Sequence, residues 1–106
     1  VHIEATDEAG HNQDLRMKVS CLERIDRLVV GTIVEGLGNK DFRILITPDH
    51  PTPLEKRTHT DEPVPFLISG SGIDADEHSV YSEIEAANSS LYFDNGQSLM
   101  ESFLQK

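Results

Sequence analysis

Five side chains of the kind that hold divalent cations punctuate this sequence: Asp7, His11, Asp49, His50 and His59. Carboxylate oxygen and imidazole nitrogen form a borderline donor set suited to Zn or Mn, whereas a soft site would recruit thiolate. The single cysteine, Cys21, stands apart in a stretch of helical periodicity and reads as a small apolar core residue. Asp7 and His11 are four apart, the spacing that brings two side chains together on a helical turn, and Gly10 lets the backbone tighten just before the imidazole. Asp49 and His50 are bracketed by Pro48 and Pro51, which fix their own φ and bias Thr47 and His50 towards extended geometry. A ligand loop stiffened in this way has little entropy left to lose. His59 lies between Thr58 and Thr60, whose hydroxyls could hydrogen-bond a metal ligand from behind.

Each of these residues also has an ordinary reading. Asp7 could be a loop or cap residue, His11 and His59 surface imidazoles, and Asp49-His50 a turn dipeptide ahead of proline; only their conjunction singles them out. Glu8 reads as a surface or supporting carboxylate. Arg57 offers a planar fork to a phosphate, or equally to a salt bridge. Ser69-Gly70-Ser71-Gly72 lacks the lysine and the following helix of a phosphate-cradling loop and reads as a plain turn. His2 and His78 read as structural or exposed.

The elements that must position these groups are legible in outline. Residues 1–5 are strand formers, followed by a polar, glycine-containing loop that carries Asp7 and His11. From 14 to 37 the apolar positions Leu15, Val19, Leu22, Ile25, Val29 and Ile33 step by three or four, which predicts a long amphipathic helix. Asn12 or Asp14 can cap its start, and Gly36 and Gly38 mark its end. Residues 42–47 predict a buried strand of a parallel sheet, giving a strand-helix-strand unit. Residues 48–63 predict an ordered functional loop, 64–69 a further strand, and 74–78 an acidic surface loop. Two helices follow at 82–88 and 97–104, the second presenting Leu99, Phe103 and Leu104 to a core. The loops at the carboxyl ends of parallel strands converge on one crevice, so the five ligand candidates can meet there.

Nine basic residues against nineteen acidic ones give a formal charge of -10, a field that repels nucleic-acid backbones and anionic membranes. Neither is expected as a partner. The same field suits divalent cations, which reverse the local sign for an anionic substrate. One cysteine allows no internal disulfide, and no apolar run is long enough to span a bilayer, so a cytoplasmic setting is expected. The chain opens on Val rather than Met, directly into a strand-like run, and the uncovered sheet edges of so short a pattern point the same way: the expectation is a fragment of a longer protein.

The ordered motifs Glu4-Ala5-Thr6-Asp7-Glu8-Ala9-Gly10-His11, Asp49-His50-Pro51-Thr52-Pro53, Arg57-Thr58-His59-Thr60 and Pro63-Val64-Pro65-Phe66 resemble the archaeal-type branch of the cofactor-independent phosphoglycerate mutases, within the alkaline phosphatase superfamily. Glu23-Arg24-Ile25-Asp26-Arg27, Tyr81-Ser82-Glu83 and Gly96-Gln97-Ser98-Leu99-Met100 extend the resemblance over nearly the whole chain. Glu62 stands where an Asp is more usual, and Gln13 where a Gly is common. The resemblance implies an α/β fold, a three-layer, mostly parallel sheet with flanking helices. Residues 1–106 would be a single unit of it, the carboxyl-terminal part of a metal-dependent phosphotransferase domain. It implies two divalent ions, Mn or Zn with Co also acceptable, one held by Asp7, His11 and His59 and the second by Asp49 and His50. An Asp and a nucleophilic Ser from the missing amino-terminal part would complete the second site, so no catalytic nucleophile is assigned here and the isolated chain is expected to be inactive. The implied reaction interconverts 3-phosphoglycerate and 2-phosphoglycerate in glycolysis and gluconeogenesis, on a small phosphorylated substrate that Arg57 could contact. Two rivals stand beside it: another phosphatase or phosphonate-active enzyme of the same superfamily, since one two-metal core serves hydrolysis too, and a non-catalytic metal-binding or interaction module.

Overall fold

The computed structural model describes residues 1–105, which gather into two compact units interleaved along the chain. The first takes Val1–Lys40 and His50–Pro63; the second takes Asp41–Asp49 and the chain from Val64 onwards.

In the first unit the expected opening strand is absent, and helix α1 runs Ala5–His11 instead. Two alanines favour the helix, and Asp7 and Glu8 place negative charge in its first turn, matching the sign of the helix dipole there, while His11 stands in its last turn. The polar stretch expected to be a loop is therefore helical. The long helix is present but not uniform: α2 covers Leu15–Arg24, a π-helical segment covers Ile25–Val30, and α3 covers Gly31–Leu37. Asp14 caps α2 by accepting from the Met17 amide at 2.9 Å. The widened turn coincides with Val29-Val30, whose β-branching crowds an α-helical turn, and the Gly31 amide reaches back to Asp26 O. Gly38 ends the helix in a positive-φ conformation, φ 56°.

α1 packs against α2, yet the apolar stripe of the long helix is mostly uncovered: Leu15 is 62%, Val19 46% and Leu22 53% exposed. Cys21 is half-buried beside Ile3, Ala5 and Ile25. Of the loop expected at 48–63, residues 50–63 belong to this unit. The amides of Lys56 and Arg57 both donate to Pro53 O, at 3.1 and 3.0 Å, and Thr60 N donates to Pro51 O at 3.2 Å, so the loop is held by its own backbone.

The second unit contains strand β1, Arg43–Ile46, paired antiparallel with strand β2, Leu67–Gly70, in the register Arg43↔Gly70 to Ile46↔Leu67. The two apolar runs foreseen as strands are both strands, but they pair antiparallel, and the described residues hold no parallel pair. Residues 1–5 pair with neither strand, so the strand-helix-strand unit does not form. Gly70 is required at the close of β2: its φ is +124°, and an added Cβ would lie 2.1 Å from Phe42 O. Helix α4, Glu83–Asn88, is capped by Ser82, and helix α5, Gly96–Leu104, by Asn95. Arg43 ties the sheet to the end of α5, donating to Phe103 O at 3.2 Å and also to Gln105 O. Leu99 is buried and Phe103 partly so, but Leu104 is 69% exposed. Leu99 and Phe103 are one helical turn apart, whereas Leu104 falls a further residue round the helix, off that face.

Candidate metal centre

α1 aligns Asp7 and His11 as its sequence spacing dictates, with His11 Nε2 3.2 Å from Asp7 Oδ2. The 50–63 loop delivers His59 to the same carboxylate, Nε2 lying 3.1 Å from Asp7 Oδ1 and 3.3 Å from His11 Nε2. His50 stacks on His59, ring centroids 3.6 Å apart, and donor atoms of Asp7, His50 and His59 all lie within 4.8 Å of one another. Four of the five expected ligands, Asp7, His11, His50 and His59, therefore share one cluster. Asp49 is exposed, and it closes the segment of the second unit that leads directly into His50.

What draws the loop onto the helix is Thr52. It is buried, 6% exposed, and its hydroxyl donates to Asp7 Oδ1 at 2.6 Å. Its carbonyl accepts from Lys18 Nζ at 2.8 Å, tying the loop to α2 as well. Gly10 is the complement of this contact, because a Cβ there would lie 2.5 Å from Thr52 O and 2.9 Å from its methyl. The use of this glycine is to let the helix approach the loop rather than to ease a tight backbone before the imidazole. The hydrogen bond from Thr52 is the main influence holding the Asp7 carboxyl below its ordinary value, reinforced by the charges available to His11, His59 and His50 and opposed by partial burial. Asp7 is thus ready to act as an anionic ligand.

The tautomer of His11 follows from one bond. Its Nδ1 lies 2.8 Å from the carbonyl of Arg57, and a carbonyl can only accept, so Nδ1 carries the proton. In the neutral ring Nε2 then presents a lone pair to Asp7 and His59. His59 Nε2 in turn faces two acceptors, Asp7 Oδ1 and His11 Nε2. A proton on His59 Nε2 satisfies these acceptors as hydrogen bonds, and its removal turns the same three atoms into electron-pair donors for a cation. Ligands bound at ~2.0–2.1 Å to a common ion stand roughly 3 Å apart, and the separations here of 3.1, 3.2 and 3.3 Å fit that spacing. The donor set and its spacing suit a divalent ion.

Two residues that were given no chemical role join this site. Thr52 is one, its only local signal being a hydroxyl residue locked between Pro51 and Pro53. Gln13 is the other: it adopts φ 55°, the left-handed region that glycine reaches without steric cost. Its side-chain oxygen accepts from Arg57 Nε at 3.0 Å and from Arg57 Nη2. Arg57, whose fork could face a phosphate or equally a salt bridge, has these two guanidinium nitrogens directed to Gln13. Glu8 is exposed.

The chain belongs to the Metalloenzyme superfamily, which matches residues 1–101. Among individual relatives, the 2,3-bisphosphoglycerate-independent phosphoglycerate mutase 2 of Methanothermobacter thermautotrophicus is 45% identical over 95% of this chain and 25% of its own length. The 2,3-bisphosphoglycerate-independent phosphoglycerate mutase of Methanothrix thermoacetophila is 46% identical over 82% of the chain and 23% of its own. The solved structure of the PH0037 protein from Pyrococcus horikoshii superposes with a TM-score of 0.74 at 38% identity, over 78% of this chain and 25% of that one. The chain thus spans about a quarter of the length of these relatives. No helix of the described residues is long and apolar enough to cross a membrane.

Proposed function

We propose that this chain supplies metal ligands to a 2,3-bisphosphoglycerate-independent phosphoglycerate mutase that interconverts 3-phosphoglycerate and 2-phosphoglycerate in the cytoplasm. The observation that carries the reading is the convergence of His11 and His59 on the Asp7 carboxylate, with both Nε2 atoms within 3.3 Å of it and of each other. The relatives named above support the choice of reaction. Two divalent ions, Mn or Zn, would be held, one by Asp7, His11 and His59 and the second by Asp49 and His50, together with an Asp and a nucleophilic Ser from the remainder of the protein. When bound, such ions supply Lewis acidity that lowers the pKa of a serine hydroxyl and neutralises phosphate oxygens during in-line transfer.

This chain's own contribution is to keep Asp7 ionised and its imidazole donors in place. Thr52 holds Asp7 ionised, and the Arg57 carbonyl keeps the His11 proton on Nδ1, leaving Nε2 to bind. A guanidinium has five N–H donors, so the bonds to Gln13 leave Nη1 of Arg57 for an anionic substrate. The exposed stripe of Leu15, Val19 and Leu22 is where the rest of the protein would pack, completing a three-layer α/β core with a mostly parallel sheet. The same two-ion arrangement serves hydrolysis, so the test must separate the reactions. The full-length protein carrying this chain, loaded with Mn, should isomerise 3-phosphoglycerate without releasing phosphate, and His59→Ala should abolish the turnover. Release of free phosphate in place of isomerisation would replace the mutase with a phosphatase, and full activity in His59→Ala would overturn the site.

A further inference from the structure

Only two non-glycine residues among those described adopt positive φ, Gln13 at 55° and Arg57 at 53°, and the two are hydrogen-bonded to each other. Each stands two positions from a histidine of the cluster, Gln13 after His11 and Arg57 before His59. Gln13 N donates to Gly10 O in the turn that ends α1, and Arg57 N donates to Pro53 O in the turn that ends the proline-rich segment. Two unfavourable backbone conformations, 44 residues apart in sequence, thus face one another across the guanidinium-amide bond. The Arg57 carbonyl, presented by this conformation, is the acceptor for His11 Nδ1.

We propose that Gln13 and Arg57 form a clasp that positions His11. By holding the His59 loop on the end of α1, the side-chain bond keeps the Arg57 carbonyl on His11 Nδ1 and so turns Nε2 towards Asp7 and His59. Gln13 bonds to the Arg57 guanidinium and acts through it. The proposal rests on the metal-centre reading for what His11 is positioned to do, but the clasp and the tautomer stand on hydrogen bonds alone.

The test uses the full-length protein carrying this chain, metal-free and labelled with nitrogen-15 at histidine, with the His11 signal assigned by its loss in His11→Gln. Wild type should show His11 with a proton held on Nδ1 by the Arg57 carbonyl. Gln13→Ala and Gln13→Gly should both move it towards a tautomer mixture, glycine included, although glycine relieves the backbone. Gln13→Glu, which keeps an acceptor for the guanidinium, should restore the wild-type signal. In Mn titrations by calorimetry, losing a group that orients a ligand weakens binding, here by about tenfold in the alanine and glycine variants and little in the glutamate variant. An unchanged His11 tautomer in Gln13→Gly, or failure of Gln13→Glu to restore it, would overturn the clasp. A wild-type protein that binds no Mn would sink the metal-centre reading, while its tautomer spectra would still decide on the clasp.

Discussion

Substituting Gly10 by alanine sets two opposing effects against each other, and the structure decides between them. In a helix interior the change would stabilise the chain by about 1 kcal/mol through propensity alone. Here the new Cβ would meet the Thr52 carbonyl oxygen at 2.5 Å, its methyl at 2.9 Å and its Cβ at 3.1 Å. A backbone oxygen cannot rotate away as a side chain can, so the loop must retreat by at least 0.5 Å to reach 3.0 Å and by 0.9 Å to reach ordinary contact at 3.4 Å. Overpacking of a close contact costs typically ~1–3 kcal/mol, and a clash with backbone belongs at the upper end. The net expectation is a loss of about 1–2 kcal/mol despite the propensity gain. A retreat of that size also stretches the 2.6 Å bond from Thr52 to Asp7 to the edge of hydrogen-bonding range, so metal affinity should fall with stability. Urea unfolding and Mn calorimetry on the full-length protein measure the two effects. Equal or greater stability of Gly10→Ala, with unchanged Mn affinity, would refute the argument.

Other outcomes follow from single contacts. Thr52→Val keeps the shape and loses the hydroxyl, and should weaken Mn binding about 10–100-fold, read by calorimetry. Asp14→Ala removes the cap of α2 and should cost about 1 kcal/mol in urea unfolding. Gly70→Ala should destabilise by ~1–3 kcal/mol or more, since it meets both a positive φ and the Phe42 carbonyl; unchanged unfolding would contradict the β1–β2 register. The His78 imidazole is held above its ordinary value of 6.5, chiefly by its hydrogen bond with Glu85, with Asp76, Glu85 and Glu77 adding charge. A raised folded value means the stabilisation is complete below about pH 6.5 and fades as pH rises through the folded pKa, so Glu85→Gln should be destabilising in mild acid and close to neutral in alkali.

The residues of the candidate cluster were legible because chemistry and spacing are local: Asp7 and His11 lie one turn apart, and the prolines around Asp49-His50 announce a stiff loop. Their helical setting was less so, because Ile3, Glu4 and Ala5 suit a strand as well as the approach to a helix. Thr52 and Gln13 were invisible in their roles, since each acts on a partner more than 40 residues away and neither carries a side chain distinctive of metal chemistry. The strands at 43–46 and 67–70 were foreseen from their apolar runs, but four residues of alternating Cβ direction do not encode which neighbour they take or in which direction. The long helix was read from its apolar step of three and four. That pattern says which face is apolar, not what covers it, and Leu15, Val19 and Leu22 are left largely bare by the described residues.

The account stands on Asp7, His11 and His59 gripping one divalent ion. Anomalous diffraction at the Mn edge from crystals of the full-length protein tests this most directly. The account predicts a peak within bonding distance of the Asp7 carboxylate and of Nε2 of both His11 and His59, lost in Asp7→Asn. A peak elsewhere, or none at full metal saturation, would contradict it.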